Sequence, residues 1–293
     1  MLRRALIVVP ALVLGIGASS ATAQQPAPTC LDVRVTISGT PGNDTITGTA
    51  GADVIHGMQG NDTIDGGAGE DFICGGDNDD VLLGNNGPDL LVGGLGNDRL
   101  DGGKGTDNAT VYVDAPGPVT VDLASGTATG ASGNDTLANL NAVLGSRRRD
   151  IIRGGPGNDF LLGLGGGDTL AGRGGTDLIT PREGNDLVNG GGGFDYVDYA
   201  VTPRRLRINL GRGTAVGDGS DRLVAIEAAI GGNKADMLIG DQHQNELYGE
   251  RGNDTIEGRG GNDLLHGGPG TDDVDGGTGR DRCRAAERRS RCP

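Results

Sequence analysis

Aspartate recurs every nine residues and is the residue type in this chain best placed to do chemistry. In the stretch GMQGNDTIDGGAGEDFICGGDNDD, residues 57–80, Asp62, Asp71 and Asp80 follow one another at this step. Each interval between them is rich in glycine and contains one isoleucine. Carboxylates are hard oxygen ligands, so their regular spacing favours a series of cation sites over a disordered acidic linker.

The aspartates belong to a nine-residue unit that repeats along most of the chain. The first eight units, from Gly39, are GTPGNDTIT, GTAGADVIH, GMQGNDTID, GGAGEDFIC, GGDNDDVLL, GNNGPDLLV, GGLGNDRLD and GGKGTDNAT. Six more units begin at Gly145 and another six at Gly231. Aspartate holds the sixth place and an aliphatic residue the eighth in nearly all of them. This strict phase argues for a repetitive fold and against a linker.

Each unit combines a glycine-rich turn with a short strand whose middle residue is aliphatic. Two units would make a flattened coil, and coils stacked about 4.8 Å apart would give an all-β solenoid with two parallel sheets. Aspartates of alternate units then share an edge. One edge would carry Asp44, Asp62, Asp80 and Asp98, and the other Asp53, Asp71, Asp89 and Asp107.

Aspartates stacked along one edge predict bound cations. Carboxylates about 5 Å apart repel by roughly 3 kcal/mol per neighbour at an effective dielectric constant of about 20. The turn carbonyls add further hard oxygen donors. A flexible all-oxygen site suits Ca²⁺ better than zinc or copper, and Mg²⁺ prefers a stricter octahedron. We therefore expect several Ca²⁺ ions, whose binding is coupled to folding.

The repeat resembles the hemolysin-type calcium-binding, or RTX, nonapeptide G-G-x-G-x-D-x-U-x. The units GGAGEDFIC, GGLGNDRLD and GGPGNDFLL match it at every defined place. The resemblance implies a right-handed parallel β-roll, with Ca²⁺ held between successive turns by the sixth-position aspartates and turn carbonyls. The implied metal ligands are Asp44, Asp53, Asp62, Asp71, Asp80, Asp89, Asp98, Asp107, Asp159, Asp168, Asp177, Asp186, Asp195, Asp254, Asp263 and Asp272.

Some units depart from this pattern. Position four is not glycine at Asn78, Arg148, Lys234 and His243, and position six is Asn245 in one unit. The first unit of the second block and the first two of the third are therefore doubtful sites. The strand after Asp107 is also in doubt, because Asn108 and Ala109 follow it.

The repeats define the expected domain organisation. Repeat blocks span 39–110, 145–198 and 231–282, separated by inserts at 111–144 and 199–230. The inserts resemble each other and are interpreted as modified coils. Their segments VTVDL and LRINL predict strands, whereas NDTLANLNAVLG could be helix or strand. Residues 24–38 would form an N-terminal cap and residues 283–293 a basic, disulfide-closed C-terminal cap.

The first 23 residues have the features of a secretory signal peptide: a basic start, an apolar run and a small-residue cleavage site. Arg3 and Arg4 leave twin-arginine export open as an alternative to the general route. The formal net charge is −15, and it falls to −17 without these two arginines. Such an acidic chain attracts cations and repels nucleic acid. No later apolar run is long enough to predict a membrane span.

Four cysteines in an exported chain indicate two disulfides, for which three pairings exist. We favour Cys30–Cys74 and Cys283–Cys292, because these pairs close the two ends of the chain.

Two functional hypotheses remain. The first is a secreted, non-catalytic calcium-binding protein, structural or adhesive, whose partner would lie outside the cell or in the cell envelope. The second is a calcium-dependent folding or secretion module of an extracellular enzyme or toxin. The sequence contains neither H-E-x-x-H nor G-x-S-x-G, and the inserts gather no nucleophile with a base. The first hypothesis is therefore preferred, and no enzymatic activity is expected.

Overall fold

The computed structural model describes residues 29–292, which form two compact units. Unit 1 comprises the residues up to Gly117 and Ser125–Val143, and unit 2 comprises Pro118–Ala124 and the residues from Leu144 onward. The predicted signal peptide and residues 24–28 of the predicted N-terminal cap lie outside the described residues. No helix in the described part of the chain is long and apolar enough to cross a membrane.

Short β-strands make up both units, with one 3-10 helix at Leu210–Arg212 in unit 2. In chain order up to residue 144 the strands are β1 (Thr29–Cys30), β2 (Val33–Arg34), β3 (Ile37–Ser38), β4 (Thr45–Thr47), β5 (Val54–Gln59), β6 (Thr63–Asp65), β7 (Phe72–Asp77), β8 (Val81–Leu83), β9 (Leu90–Leu95), β10 (Arg99–Asp101), β11 (Ala109–Val111), β12 (Val119–Asp122), β13 (Thr127–Gly130), β14 (Gly133–Ala138) and β15 (Ala142–Leu144). The later strands are β16 (Ile151–Arg153), β17 (Phe160–Leu162), β18 (Thr169–Gly175), β19 (Leu178–Thr180), β20 (Leu187–Gly193), β21 (Tyr196–Asp198), β22 (Arg207–Asn209), β23 (Thr214–Val216), β24 (Ser220–Val224), β25 (Ala228–Ile230), β26 (Met237–Ile239), β27 (Glu246–Tyr248), β28 (Thr255–Glu257), β29 (Leu264–His266), β30 (Asp273–Asp275), β31 (Arg282–Arg284) and β32 (Arg288–Ser290).

Unit 1 contains two parallel sheets, each formed by the strands of alternate repeat units. One sheet has the order β3-β5-β7-β9-β11. The other has the order β4-β6-β8-β10-β14. Ile46 pairs with Ile64 and Ile64 with Leu82, so one step along a sheet is eighteen residues. The predicted all-β solenoid, with a coil of two nonapeptides, is confirmed.

Unit 2 repeats this arrangement. One sheet runs β17-β19-β21-β25-β27-β29-β31 in parallel pairs. The other contains the parallel runs β12-β16-β18-β20-β24 and β22-β26-β28-β30-β32. Between these runs, β23 pairs antiparallel with both β22 and β24.

The inserts form strands in the segments where the sequence predicts strands or leaves the choice open. VTVDL and LRINL contain β12 and β22, as predicted. NDTLANLNAVLG contributes to β14 and β15 and forms no helix. In unit 1, β14 pairs parallel with β10 and antiparallel with β13. The first insert therefore extends the sheet and adds an antiparallel hairpin to it.

The eighth residue of most units fills the interior; in the last unit of the first block the ninth residue, Thr110, takes that place. The fully buried members in unit 1 are Ile55, Ile64, Ile73, Leu82, Leu91 and Leu100, each 0% exposed. In unit 2 the same place is held by residues such as Leu161, Leu170 and Ile179, also 0% exposed. The predicted aliphatic column is confirmed in both units, and it leaves the aspartates on the edges of the coils.

Both disulfides have the pairing that the sequence favoured, Cys30–Cys74 and Cys283–Cys292. In unit 1 the β1–β2 hairpin lies against one sheet, where Cys30, Phe72 and Cys74 form a buried cluster. Cys74 holds the outward ninth place of its repeat, so the hairpin can reach it only from the outer face of the sheet.

Replacing a single interior aliphatic residue should destabilise the roll. Ile64→Ala removes a fully buried side chain and leaves a cavity, so we expect a loss of about 2–5 kcal/mol in the free energy of unfolding. Denaturant titration of the calcium-saturated protein, followed by circular dichroism, measures it. Leu95→Ala is the control, because Leu95 is 48% exposed and should cost less than about 0.5 kcal/mol. Equal losses in the two variants would contradict the assigned interior.

Candidate metal centre

The sixth-position aspartates lie where each turn enters its strand, and hydrogen bonds join them in series. The backbone N–H of Asp44 donates to Oδ1 of Asp62 at 2.8 Å, and that of Asp62 donates to Oδ1 of Asp80 at 2.8 Å. The N–H of Asp53 donates in the same way to Oδ1 of Asp71 at 3.0 Å. We call such a series, in which each backbone N–H donates to the sixth-position side chain of the next coil, an aspartate ladder.

Among the described residues, unit 1 contains two ladders and unit 2 contains four. The ladders of unit 1 are Asp44–Asp62–Asp80–Asp98–Asp135 and Asp53–Asp71–Asp89–Asn108. Those of unit 2 are Asp150–Asp168–Asp186–Asp221, Asp159–Asp177–Asp195–Glu227, Asp236–Asp254–Asp272–Glu287 and Asn245–Asp263–Asp281. The alternation predicted from the spacing is therefore present, with odd and even units on separate edges.

The second carboxylate oxygen, Oδ2, is buried and has no hydrogen-bond partner in most of the ladder aspartates. These residues are Asp62, Asp71, Asp80, Asp89, Asp98, Asp168, Asp177, Asp186, Asp195, Asp254, Asp263, Asp272 and Asp281. None of them is more than 4% exposed. Burying an ionised carboxylate without a compensating partner costs several kcal/mol. A bound cation would remove this cost, so the ladders fit a metal site.

A backbone carbonyl stands beside the unpartnered oxygen. A Cβ atom at Gly75 would overlap Oδ2 of Asp80 and lie 2.7 Å from the carbonyl oxygen of Gly93. In unit 2 a Cβ atom at Gly172 would likewise overlap Oδ2 of Asp177. A side chain at Gly75 or Gly172 would fill this space, which favours glycine at the first place of the repeat, where Pro181 is an exception. A carboxylate and a carbonyl oxygen therefore border the same gap.

The donor set of this gap consists of oxygen alone. No group of three or more His, Cys, Asp or Glu side chains gathers at one point between residues 29 and 292. A cation between coils would therefore rest on the ladder carboxylates together with the carbonyls of the turns. Such hard oxygen ligands suit Ca²⁺ and offer nothing to metals that prefer sulfur or imidazole.

Burial raises the pKa of the ladder carboxyls, and neighbouring aspartates raise it further. The pKa of Asp80 is raised to about 7 and that of Asp168 to about 8. Burial is the largest cause in both; the accepted backbone hydrogen bond opposes it, and the adjacent ladder carboxylates add to it. Without a cation these carboxyls are therefore protonated more readily than exposed aspartates, and a cation would compete with the proton for the same oxygens.

The first aspartate of a ladder differs from the interior ones. Oδ2 of Asp44 accepts a hydrogen bond from the Thr40 N–H at 2.6 Å, and Oδ2 of Asp159 accepts one from Gly155 at 2.6 Å. Oδ2 of Asp53 likewise accepts a hydrogen bond from the Thr49 N–H at 2.6 Å. These three predicted ligands therefore stabilise their own turns, and their Oδ2, unlike that of the interior residues, is hydrogen-bonded.

Asp107 stands outside the ladder in which the spacing placed it. Its side chain is exposed, and its backbone has a φ of 74°. The ladder position is held by Asn108, whose Oδ1 accepts the N–H of Asp89 at 3.0 Å. A one-residue shift in the last unit of the block, GGKGTDNAT, therefore substitutes an amide for the expected carboxylate.

Several ladder residues were missed by the sequence reasoning. Asp281 was left out of the ligand set although its unit, GGTGRDRCR, matches the repeat. Asp135 and Asp221 lie in the inserts, and the segment GASGNDTLA at 130–138 shows the repeat pattern one residue out of phase with the first block. Glu227 and Glu287 replace aspartate at the ends of two ladders. An out-of-phase search for G-x-x-G-x-D would have found the first insert.

Stacked parallel coils with unpartnered carboxylate oxygens beside turn carbonyls define a calcium-binding β-roll. The family model of the RTX calcium-binding nonapeptide repeat, which comprises four copies, matches residues 38–73, 75–109, 144–179, 163–197, 227–256 and 248–283. These matches cover more than half of the chain, which belongs to this family. The resemblance of the nonapeptides is thereby confirmed. A comparison with curated proteins finds no match.

Replacing an interior ladder aspartate by asparagine should weaken calcium binding. Asp80→Asn keeps the oxygen that accepts the Asp62 N–H but replaces the free Oδ2 by an amide nitrogen. We expect the loss of one bound Ca²⁺ or a fall in its affinity of at least roughly tenfold, because even outer-shell partners of metal ligands are worth about 10–100-fold. Isothermal titration calorimetry measures both quantities.

Asp79→Asn is the matched control for this experiment. It makes the same change of charge at the adjacent position, where the exposed Asp79 side chain accepts the Asn97 N–H at 2.7 Å through an oxygen that asparagine retains. It should leave the number of bound ions unchanged. Equal effects of the two substitutions would show that net charge, and not the ladder oxygen, governs binding.

The calcium-free roll should lose stability as the pH rises. Ladder carboxyls such as Asp80, Asp177 and Asp168 have folded-state pKa values of about 7, 7 and 8, above the value of 3.8 for an exposed aspartate. The folded state therefore binds more protons than the unfolded state between about pH 4 and pH 8. The β-structure content measured by circular dichroism in chelator should therefore be greatest near pH 5 and fall towards pH 8, where little should remain. A content that rises from pH 5 to pH 8 would contradict the burial of these carboxyls without a cation.

Proposed function

We propose that this chain is a secreted, non-catalytic calcium-binding repeat protein. Ca²⁺ binds between successive coils of the roll, and its binding drives the folding of the repeats. The folded roll then acts as a structural or adhesive element outside the cell or at the cell surface, with its outer faces available to a partner in the envelope or the medium.

The observation that carries the proposal is the unpartnered Oδ2 of the interior ladder aspartates. Each further coil adds buried carboxylates, while the accompanying gain of apolar core is one aliphatic side chain per nonapeptide. Without cations the repulsion and desolvation of these charges oppose folding at neutral pH. A site that exists only in the folded state turns its binding free energy into folding free energy.

Two features support a location outside the cell. Two disulfides stabilise the described chain, and disulfides persist mainly in oxidising compartments. Extracellular calcium modules work at dissociation constants of about 10⁻⁴–10⁻³ M, far above free calcium inside cells. Folding would then follow export, because the ion that completes the ladders is abundant only outside. The signal peptide predicted for residues 1–23 supplies the route.

The positions and hydrogen-bond partners of the ionisable side chains support a structural role. All buried aspartates of the described residues except Asp198 are hydrogen-bonded in series along the ladders. No three His, Cys, Asp or Glu side chains gather at one point in this part of the chain. The outward strand positions carry polar groups such as Thr45, Thr47 and Thr63, all exposed. A rigid, polar face of this kind suits adhesion to a hydrophilic surface.

Calcium titration of the chelated protein tests the proposal. We expect little β-structure by far-ultraviolet circular dichroism in chelator and a cooperative gain on addition of Ca²⁺. Mg²⁺ at the same concentration is the control and should be far less effective, because it holds its waters and demands octahedral geometry. The calcium-loaded protein should then bind isolated cell envelopes and be released by chelator.

A chain that is equally rich in β-structure with chelator and with calcium would overturn the coupling of binding to folding. If calcium folds the chain but envelopes do not retain it, the adhesive part of the proposal fails while the calcium-driven fold stands.

A further inference from the structure

Two aspartates hold ladder positions inside the inserts, and each of them has a tyrosine hydroxyl where interior aspartates have a free oxygen. Oδ1 of Asp135 accepts the N–H of Asp98 at 3.1 Å, as in any other ladder step. Its Oδ2 accepts a hydrogen bond from the Tyr112 hydroxyl at 2.9 Å. In unit 2, Oδ2 of Asp221 accepts one from the Tyr199 hydroxyl at 2.6 Å.

The two tyrosines are placed alike. Both are buried, with 7% of Tyr112 and 2% of Tyr199 exposed. Each begins a turn, since its carbonyl oxygen accepts the N–H of the third residue after it, Ala115 and Thr202 respectively, at 2.9 Å. The same arrangement in both inserts, across sequences that differ at most positions, points to a shared purpose for the hydroxyl.

A phenol hydroxyl satisfies a buried carboxylate without a metal. Burial and the adjoining carboxylate raise the pKa of Tyr112 and Tyr199 above the usual value, so each hydroxyl keeps the proton that it donates. A cation entering at Asp135 would have to displace that donor and leave a buried hydroxyl unbonded, which costs about 1–3 kcal/mol. The free oxygen that favours a cation at Asp62 or Asp80 is thus absent here.

We propose that Tyr112 and Tyr199 are calcium plugs: their hydroxyls occupy the ion's place at Asp135 and Asp221 and end the series of calcium sites on those two ladders. The inference rests on the proposed function and deepens it by assigning two ladder carboxylates that bind no Ca²⁺. The inserts then interrupt the row of ions without interrupting the sheet, since β14 and β24 still pair with the strands before them.

Removing the hydroxyl should create a calcium site. Tyr112→Phe and Tyr199→Phe keep the buried ring and leave Oδ2 of Asp135 or Asp221 without a donor. We expect native mass spectrometry of the calcium-saturated full chain to show one additional Ca²⁺ for each single variant and two for the double variant. An unchanged or lower count in both single variants would overturn the proposal.

Two further variants are controls for this experiment. Tyr196→Phe removes a hydroxyl that donates to a carboxylate away from the ladders, Oε2 of Glu246 at 2.8 Å, and should leave the count unchanged. Asp135→Asn in the otherwise unaltered chain should also leave it unchanged, whereas a loss of one ion would show that Asp135 binds calcium and would contradict the plug.

The outcome separates the plug from the proposed function. If the unaltered chain binds no Ca²⁺, the proposed function fails and the plug fails with it. If the unaltered chain binds several ions and the phenylalanine variants bind no more, only the plug is wrong.

Discussion

The rest of the roll depends on one constraint, a buried carboxylate that accepts a hydrogen bond through Oδ1 but has no hydrogen-bond partner at Oδ2. The stacking of the coils holds Oδ1 in place, because the backbone N–H of each ladder residue donates to Oδ1 of the aspartate in the next coil. The free oxygen faces a gap that exists only because the first residue of the repeat, such as Gly75, has no side chain. Glycine at the first place and aspartate at the sixth therefore recur together in most units, with Pro181 ahead of Asp186 and Gly240 ahead of Asn245 as exceptions.

The core of each unit is too narrow to compensate for these charges. It consists of a single column of isoleucine, leucine or valine between the sheets, with one residue from each nonapeptide. A globular domain of this length would bury large aromatic side chains, of which this chain has few. Cation binding at the edges would add to the strand pairing and ladder hydrogen bonds that already join the coils, and stability in this account rises with each ion bound.

The period of nine was sufficient to predict the two-unit coil, the parallel pairing and the buried eighth residue, because all three follow from local geometry that every unit repeats. It did not predict the ladder ends. Asn108 replaces Asp107 through a shift of one residue, and Asp135 belongs to a unit that begins out of phase. The contact between Tyr112 and Asp135 spans 23 residues and arises only when the insert has folded back on the sheet.

The central claim is that the free Oδ2 oxygens are calcium ligands, and an anomalous difference map from crystals of the calcium-saturated protein tests it most directly. The account predicts calcium peaks within coordination distance, about 2.3–2.6 Å, of Oδ2 at interior ladder residues such as Asp80 and Asp177, and none at Asp135 or Asp221. Interior carboxyls that carry protons or waters in place of calcium would contradict it.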